Sequence, residues 1–123
     1  MAIGRRRWAI AEGYIPSESS FEARELISHE TACILNAGDR GAHVAITIFF
    51  ADRDPVGPYR VTVAPQRTLH LRFNDLTQPE IIPRDTDYSS VFESDQPIVV
   101  QHTRMDSRRA EVSLLSTVAF AEG

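Results

Sequence analysis

Apolar and polar residues alternate with a period of two along much of the chain. Between residues 43 and 50 one face of the alternation is wholly apolar, and it consists of Val44, Ile46, Ile48 and Phe50. A second stretch, 68–73, places Leu69, Leu71 and Phe73 on one side and Thr68, His70 and Arg72 on the other. Side chains of a β-strand point alternately to opposite faces, so both stretches predict strands with one buried face.

Similar stretches predict six more strands, at 7–12, 30–36, 59–63, 88–93, 98–103 and 114–120. Turn-forming residues separate them: residues 36–41 predict a hairpin turn, and 54–58, with two prolines, predict another turn. Two short stretches, 21–27 and 108–112, favour single helical turns, and the Ser- and Glu-rich stretch 16–28 favours a mobile loop. About eight short strands with little helix predict an all-β fold, a jelly-roll-like β-sandwich.

The composition is that of one globular domain. The chain has 123 residues, of which 42% are hydrophobic. A domain of this size can hold a core without disulfides or metal. We therefore predict a single domain over residues 1–123, in which residues 1–6 form a flexible basic arm.

The charge balance excludes some functions. All 13 basic residues are Arg, and 17 acidic residues give a net charge of −4. The absence of Lys excludes Schiff-base, P-loop and pyridoxal-phosphate chemistry. The acidic balance disfavours a protein that coats nucleic-acid phosphates over a broad surface.

Neither a membrane span nor an export signal is visible in the sequence. The stretch after Arg5, Arg6 and Arg7 is apolar only over residues 8–10, which is too short for either. The single cysteine, Cys33, cannot form an intramolecular disulfide, which fits a reducing compartment. We predict a cytoplasmic protein that does not insert into the membrane, with Cys33 buried as a small hydrophobe.

No catalytic motif of high specificity is present. His29 and Glu30 begin like a zinc-protease motif, but the position of its second histidine is Cys33. The other histidines occur singly, without the spacing of metal ligands. We predict no enzymatic activity, no metal and no cofactor, and we place all four histidines on strand surfaces or rims.

Polar residues that suit ligand recognition cluster where two predicted strands end. Arg72, Asn74 and Asp75 follow one strand, and the segment 101–108 follows another. The candidate ligand-binding residues in these two places are Arg72, Asn74, Asp75, Gln101, Arg104 and Asp106. Arg, Asn and Asp offer planar donors and acceptors for hydroxyl-rich or anionic ligands. The alternative is that the same side chains hold loops and subunit contacts together through Arg–Asp pairs.

Several long segments together resemble one known family. They are WAIAEGYIP at 8–16, ISHETACILNAGD at 27–39, HVAITIFFADRDPVGPYRVTV at 43–63, RFNDL at 72–76, IPRDTDYSSV at 82–91, PIVVQHTRMDSR at 97–108 and LLSTVAF at 114–120. In this order they are similar to the Anabaena sensory rhodopsin transducer family along nearly the whole chain. The chain departs most from that pattern at 1–6 and 17–26.

The resemblance implies a small β-sandwich that assembles as a homotetramer and contacts the cytoplasmic face of a membrane rhodopsin. It also implies two other activities that have been put forward for relatives, namely binding of a sugar-like ligand and binding of DNA. The polar positions that match include His29 and Glu30, which join the candidate ligand-binding residues.

Four hypotheses follow. The first is a non-catalytic signalling module that acts through protein contact. The second is a binding module for a sugar or polyol, the third a DNA-binding regulator, which the charge disfavours, and the fourth an enzyme. An oligomer is expected in addition, because Val99 beside Val100 and Leu114 beside Leu115 place apolar residues on both faces of their strands.

Overall fold

The structure, a computed structural model, describes residues 3–123. The eight strands are β1 (Arg5–Ile10), β2 (His29–Asn36), β3 (Ala42–Phe50), β4 (Val56–Val63), β5 (Arg67–Arg72), β6 (Tyr88–Asp106), β7 (Ser113–Val118) and β8 (Phe120–Glu122). The helical content of these residues is two single 3-10 turns, Arg24–Leu26 and Phe73–Asp75. The predicted all-β, single-domain fold with little helix is confirmed.

The long strand β6 organises the whole sheet. Its first half pairs with β3 and β1, and its second half pairs with β2 and β7, all antiparallel. One part of the sheet has the order β4-β3-β6-β1-β8, and the other has β5-β2-β6-β7. The two layers expected of a sandwich are therefore parts of one hydrogen-bonded sheet that share β6.

The sequence predicted two strands, 88–93 and 98–103, where the structure has the single strand β6. Pro97 lies inside this strand, between the last residue paired with β3, Ser94, and the first paired with β2, Val99. Proline lacks an N–H donor, and this is the point where the strand changes partners. The proline therefore lies outside the ladders with β3 and β2, and the ladder with β1 shifts its register at this place, between Glu93 and Ile98.

Both parts of the sheet contribute to one core. The face predicted to be buried in β3 is buried at Val44, Ile46 and Ile48. From the other part come the fully buried Ile34 and Val100, whose strands are paired in register. Strand β4 lies close to β2 and β5 without pairing with either, which brings the two parts of the sheet round the same core.

Aromatic rings fill the centre of this core. Phe73 is 6.3 Å from Phe92 between ring centroids in an edge-to-face arrangement, and 5.6 Å from Tyr88 in a tilted one. Such geometries add to the free energy gained from burying the rings. Phe73 begins a 3-10 turn, so the core holds the start of the segment that leaves β5.

Several predicted boundaries are wrong. Strand β1 begins at Arg5, so Arg5 and Arg6 belong to the sheet rather than to an arm, while residues 1–2 lie outside the described residues. The predicted strand 114–120 is split at Ala119 into β7 and β8. Residues 108–112 form a turn without helix, and only 24–26 of the stretch 21–27 is helical.

Hydrogen bonds tie the segment 16–28, predicted to be a mobile loop, to two other parts of the chain. Ser17 donates from its backbone N–H and its hydroxyl to the carboxylate of Asp85, at 2.9 and 2.6 Å. The Ser20 N–H donates to the Ser107 carbonyl at 2.6 Å. Within the described residues, no helix has the length and apolar character needed to cross a bilayer.

Candidate functional site

A groove of about 440 Å³ runs over the outer face of β5, β2 and β6. It is lined by Arg24, His29, Thr31, Cys33, His70, Arg72, Asp75 and Thr103. Most of these side chains carry a charged or polar group, and large apolar side chains are absent from this lining. We call this feature the outer groove.

Strand pairing explains how these residues come together. Thr31 of β2 is in register with Arg72 of β5 on one side and with Thr103 of β6 on the other. Cys33 is in register with His70 of β5. Residues in register share a face of the sheet. Alternate residues of these strands face the core, and the residues between them, which include these side chains, face the surface.

Arg72 occupies one end of the outer groove, where two hydrogen bonds hold it. Its Nη1 donates to the Arg24 carbonyl oxygen at 3.0 Å, and its Nη2 donates to Nδ1 of His29 at 2.8 Å. The same Nδ1 lies 2.6 Å from the Ile27 carbonyl oxygen. Nδ1 can serve only one of these partners at a time, since it accepts from Arg72 without a proton and donates to Ile27 with one.

Charge and burial change the pKa of both His29 and Arg72. Partial burial lowers the pKa of His29, assisted by the positive charges of Arg72 and Arg24 and opposed by the Ile27 carbonyl. Burial, together with the charge of Arg24, also lowers the pKa of Arg72. His29 is therefore held neutral near pH 7, and Arg72 carries the positive charge of this end of the groove.

A salt bridge closes the rim of the outer groove. Arg24 donates to both carboxylate oxygens of Asp75, at 2.6 and 3.2 Å. This hydrogen bond lowers the pKa of Asp75, and burial opposes the change only in part. Both side chains are about half exposed or more, so the bridge orients the rim and contributes little stability.

Cys33 was predicted to be buried, and this prediction is wrong. Its side chain faces the outer groove and is partly exposed, with Sγ 4.0 Å from the Thr103 hydroxyl. Its neighbours Ala32 and Ile34 are the buried ones. In a strand with period two, buried neighbours on both sides direct the residue between them outward.

On the inner side of the same strands lies a buried polar cluster. Glu30 is fully buried and accepts a hydrogen bond from Nε2 of His102, which is also buried. Its second oxygen accepts from the Tyr14 N–H at 3.0 Å and lies 3.3 Å from Nε of Arg104. His102 was expected on a strand surface, and that expectation is wrong because its partner lies in the interior.

The buried polar cluster extends outward through Arg104. Nη1 of Arg104 donates to Glu12 at 2.6 Å, where the carboxylate is exposed. Arg104 and Arg108 both approach the ring of Tyr14, at 5.8 and 5.7 Å from its centroid. The cluster therefore joins β2 and β6 to the segment after β1.

Tyr88 borders the buried polar cluster, and its hydroxyl is buried without a hydrogen-bond partner among residues 3–123. Burial raises its pKa well above the usual range, with the charge of Glu30 as the next cause. The phenol is therefore neutral at pH 7.

The eight candidate residues are divided among four places. His29, Arg72 and Asp75 lie together in the outer groove, and Glu30 and Arg104 lie in the buried polar cluster. Asn74 hydrogen-bonds to the backbone beside that cluster: it accepts from the Glu30 N–H at 3.3 Å and donates to the Ser28 carbonyl at 3.0 Å. Gln101 is exposed on the outer face, and Asp106 accepts from Arg108 at the turn after β6.

Sequence reasoning did not identify five residues that line the outer groove, namely Arg24, Thr31, Cys33, His70 and Thr103. The alternation in β5 placed His70 on the same face as Arg72, so His70 could have been predicted from the sequence. The pairing of β2 between β5 and β6 had no signal in the sequence. Within residues 3–123 no cluster of three or more His, Cys, Asp or Glu side chains is arranged to hold a metal ion.

A second surface feature is the apolar edge formed by β7 and β8. Leu114, Leu115, Val118 and Phe120 are exposed by 65, 55, 61 and 67% of their surface. In the described part of the chain β7 pairs only with β6, and β8 only with β1, so each has one unpaired side. Unpaired strands with large apolar side chains are typical of contact surfaces.

One family model and two solved structures are similar to this chain. The family model described as Anabaena sensory rhodopsin transducer matches residues 3–121. A solved structure named Anabaena sensory rhodopsin transducer is 62% identical, with a TM-score of 0.79 over 90% of this chain and 96% of that chain. A crystal structure of Thermotoga maritima 1070 is 37% identical, with a TM-score of 0.86 over 98% of this chain and 97% of that chain. No curated protein matches significantly.

Proposed function

Because this chain belongs to the Anabaena sensory rhodopsin transducer family, as its sequence resemblance predicted, we propose that it is a non-catalytic signalling module that works through protein contact. The observation that carries this proposal is the apolar edge of β7 and β8. A domain that acts alone in water has little reason to expose four large apolar side chains on two adjacent edges.

The apolar edge serves self-association in this proposal. Leu114 and Val118 project from one face of β7, and Leu115 projects from the other. A strand with apolar residues on both faces is stabilised when a neighbouring copy covers it, and identical copies form closed symmetric assemblies. A homotetramer is the assembly that the family implies.

The partner that receives or sends the signal is a membrane rhodopsin. Strand β1, next to β8, carries three consecutive exposed arginines, Arg5, Arg6 and Arg7. A basic strip suits a partner at the anionic inner surface of a membrane. The module acts there from the cytoplasmic side and contacts the rhodopsin without entering the bilayer.

The assembly is tested by light scattering after size-exclusion chromatography. We expect the wild-type mass to be four times the 13.8 kDa of one chain. The double variant Leu114→Ser with Val118→Ser should give smaller species, whereas Leu35→Ser, an exposed apolar residue of β2, should leave the mass unchanged. A monomeric wild type rules out the assembly.

The partner is tested by calorimetry with a purified microbial sensory rhodopsin in lipid nanodiscs. Saturable heat is expected with these discs and none with empty discs of the same lipids. Triple replacement of the arginines of β1 by Gln should weaken the binding, and the mass by light scattering should stay the same. Equal heat from loaded and empty discs contradicts contact with the rhodopsin.

A further inference from the structure

The outer groove contains one guanidinium, that of Arg72, which forms no salt bridge with a carboxylate among residues 3–123. The charge of Arg24 is matched by Asp75 at 2.6 Å. The guanidinium of Arg72 instead meets two uncharged acceptors, the Arg24 carbonyl and the His29 ring. Its pKa is lowered by burial and by the nearby Arg24, and the carboxylates of Asp75 and Glu25 oppose this change only in part.

Arg72 still has donors to offer. A guanidinium carries five N–H donors in one plane. The two internal hydrogen bonds use one donor each and hold the group in place, so the rest of the planar fork is free for a ligand. Such a fork matches the geometry of a carboxylate or a phosphate.

The neighbouring side chains suit hydroxyl groups. Thr31 and Thr103 lie in register across β2 and β6 and line the same groove, and His70 stands on the adjacent strand. Hydroxyls and imidazoles both donate and accept hydrogen bonds. A volume of about 440 Å³ lies within the range of small-molecule sites.

We propose that the outer groove binds a small hydroxylated organic anion, whose acidic group contacts Arg72 and whose hydroxyl groups contact Thr31 and Thr103. The anion supplies the charged hydrogen-bond partner that Arg72 lacks among the described residues. A neutral polyol fills the same space but gives Arg72 no charged partner, so the site prefers the acid over the corresponding alcohol.

Calorimetry at constant ionic strength tests this preference on the wild-type protein alone, without any rhodopsin. The probes are gluconate, inorganic phosphate and sorbitol, which is gluconate with a hydroxymethyl group in place of the carboxylate. Saturable binding of gluconate or phosphate, at least about tenfold tighter than that of sorbitol, is expected. Gluconate tighter than phosphate identifies a carboxylate site, and the reverse order identifies a phosphate site.

The residue is tested with Arg72→Gln, which removes the charge and keeps a planar amide. Its matched control is Arg60→Gln, an exposed arginine on β4. Anion binding should weaken about tenfold in the first variant and stay unchanged in the second. Equal weakening in both variants, no saturable anion binding, or sorbitol binding as tight as that of gluconate overturns the proposal.

A measurement on the wild type keeps the test decisive if Arg72→Gln does not fold. Titration with gluconate or phosphate, followed by backbone amide NMR, should shift the signals of Thr31, Cys33, His70 and Arg72 first. Shifts confined to other strands place the anion elsewhere and overturn the proposal.

Discussion

Glu30 and His102 hydrogen-bond to each other in the interior, from adjacent strands, and both side chains are buried. Glu30 is in register with Arg104, and His102 is two residues before Arg104 on the same strand. One carboxylate therefore meets two basic side chains of β6. A buried group of this kind is destabilised severely when a single member is removed.

Replacement of Glu30 by Ala should lower the free energy of unfolding by about 3 to 5 kcal/mol, because Arg104 and His102 lose their buried partner. Chemical denaturation at a fixed protein concentration measures this. The matched control is Glu12→Ala, which removes the exposed partner of the same arginine. That change should cost about 1 kcal/mol or less, and equal losses in the two variants would contradict the role of burial.

Acid should destabilise the protein in part through the two aspartates that are paired with arginines, Asp75 and Asp106. Hydrogen bonds from Arg24 and Arg108 lower the pKa of Asp75 and Asp106, respectively. A carboxyl group with a lowered folded-state pKa stabilises the fold above its unfolded value of about 3.9. The contribution is lost as the pH falls through the lower, folded-state pKa.

We therefore expect the melting temperature to decline below about pH 4, and the double variant Asp75→Asn with Asp106→Asn to flatten this decline. Thermal melts between pH 2 and pH 6 measure it. Asp52→Asn is the control, since Asp52 is exposed and has no hydrogen-bonded side-chain partner in the described part of the chain. A decline just as steep in the double variant would show that other groups cause it.

Gly13 should not tolerate a side chain. A Cβ at this position would lie 2.6 Å from the ring of Tyr88 and 2.7 Å from the Tyr88 carbonyl oxygen. The backbone cannot move away, because the Tyr88 N–H donates to the Gly13 carbonyl at 2.9 Å. Gly13→Ala should cost about 1 to 3 kcal/mol.

The control is Gly41→Ala, where the nearest atom to the added Cβ is 4.0 Å away. This substitution should be neutral or stabilise by about 0.4 to 1 kcal/mol, because it restricts the unfolded chain. Thermal unfolding compares the two variants. A Gly13→Ala protein as stable as the wild type would mean that Tyr88 can shift.

Position 36 should require the side-chain amide of Asn36 for full stability. The side chain is fully buried, and its Nδ2 donates to the carbonyl oxygens of Arg40 at 2.8 Å and Val63 at 3.0 Å. Asn36→Asp places a carboxylate against these oxygens, so at pH 7 it should cost about 3 kcal/mol or more. Asn36→Ala lacks the repulsion and should cost less, and denaturation that ranks the two the other way would contradict this assignment.

The strands and their buried faces could be predicted from the sequence, because the direction of a side chain in a strand is a local property. Val44 and Ile48 are buried as the alternation predicted, and Phe73 ends its stretch inside the core. The same local rule could have placed Cys33 correctly, since its neighbours Ala32 and Ile34 are the residues that face inward. The family could also be identified, because long segments of characteristic sequence do not depend on the fold being known.

Only the tertiary structure decided which strands are neighbours. The pairing of β2 between β5 and β6 brings Arg72 and Thr103 to the outer groove, although 31 positions separate them in the sequence. The same pairing joins Glu30 to His102 on the other face. Alternation specifies the two faces of each strand, but it carries no information on register or partner. Those depend on contacts between distant parts of the chain, so the sequence alone determined which faces of the strands are buried, and the tertiary structure decided the lengths of the strands, their partners and the sites.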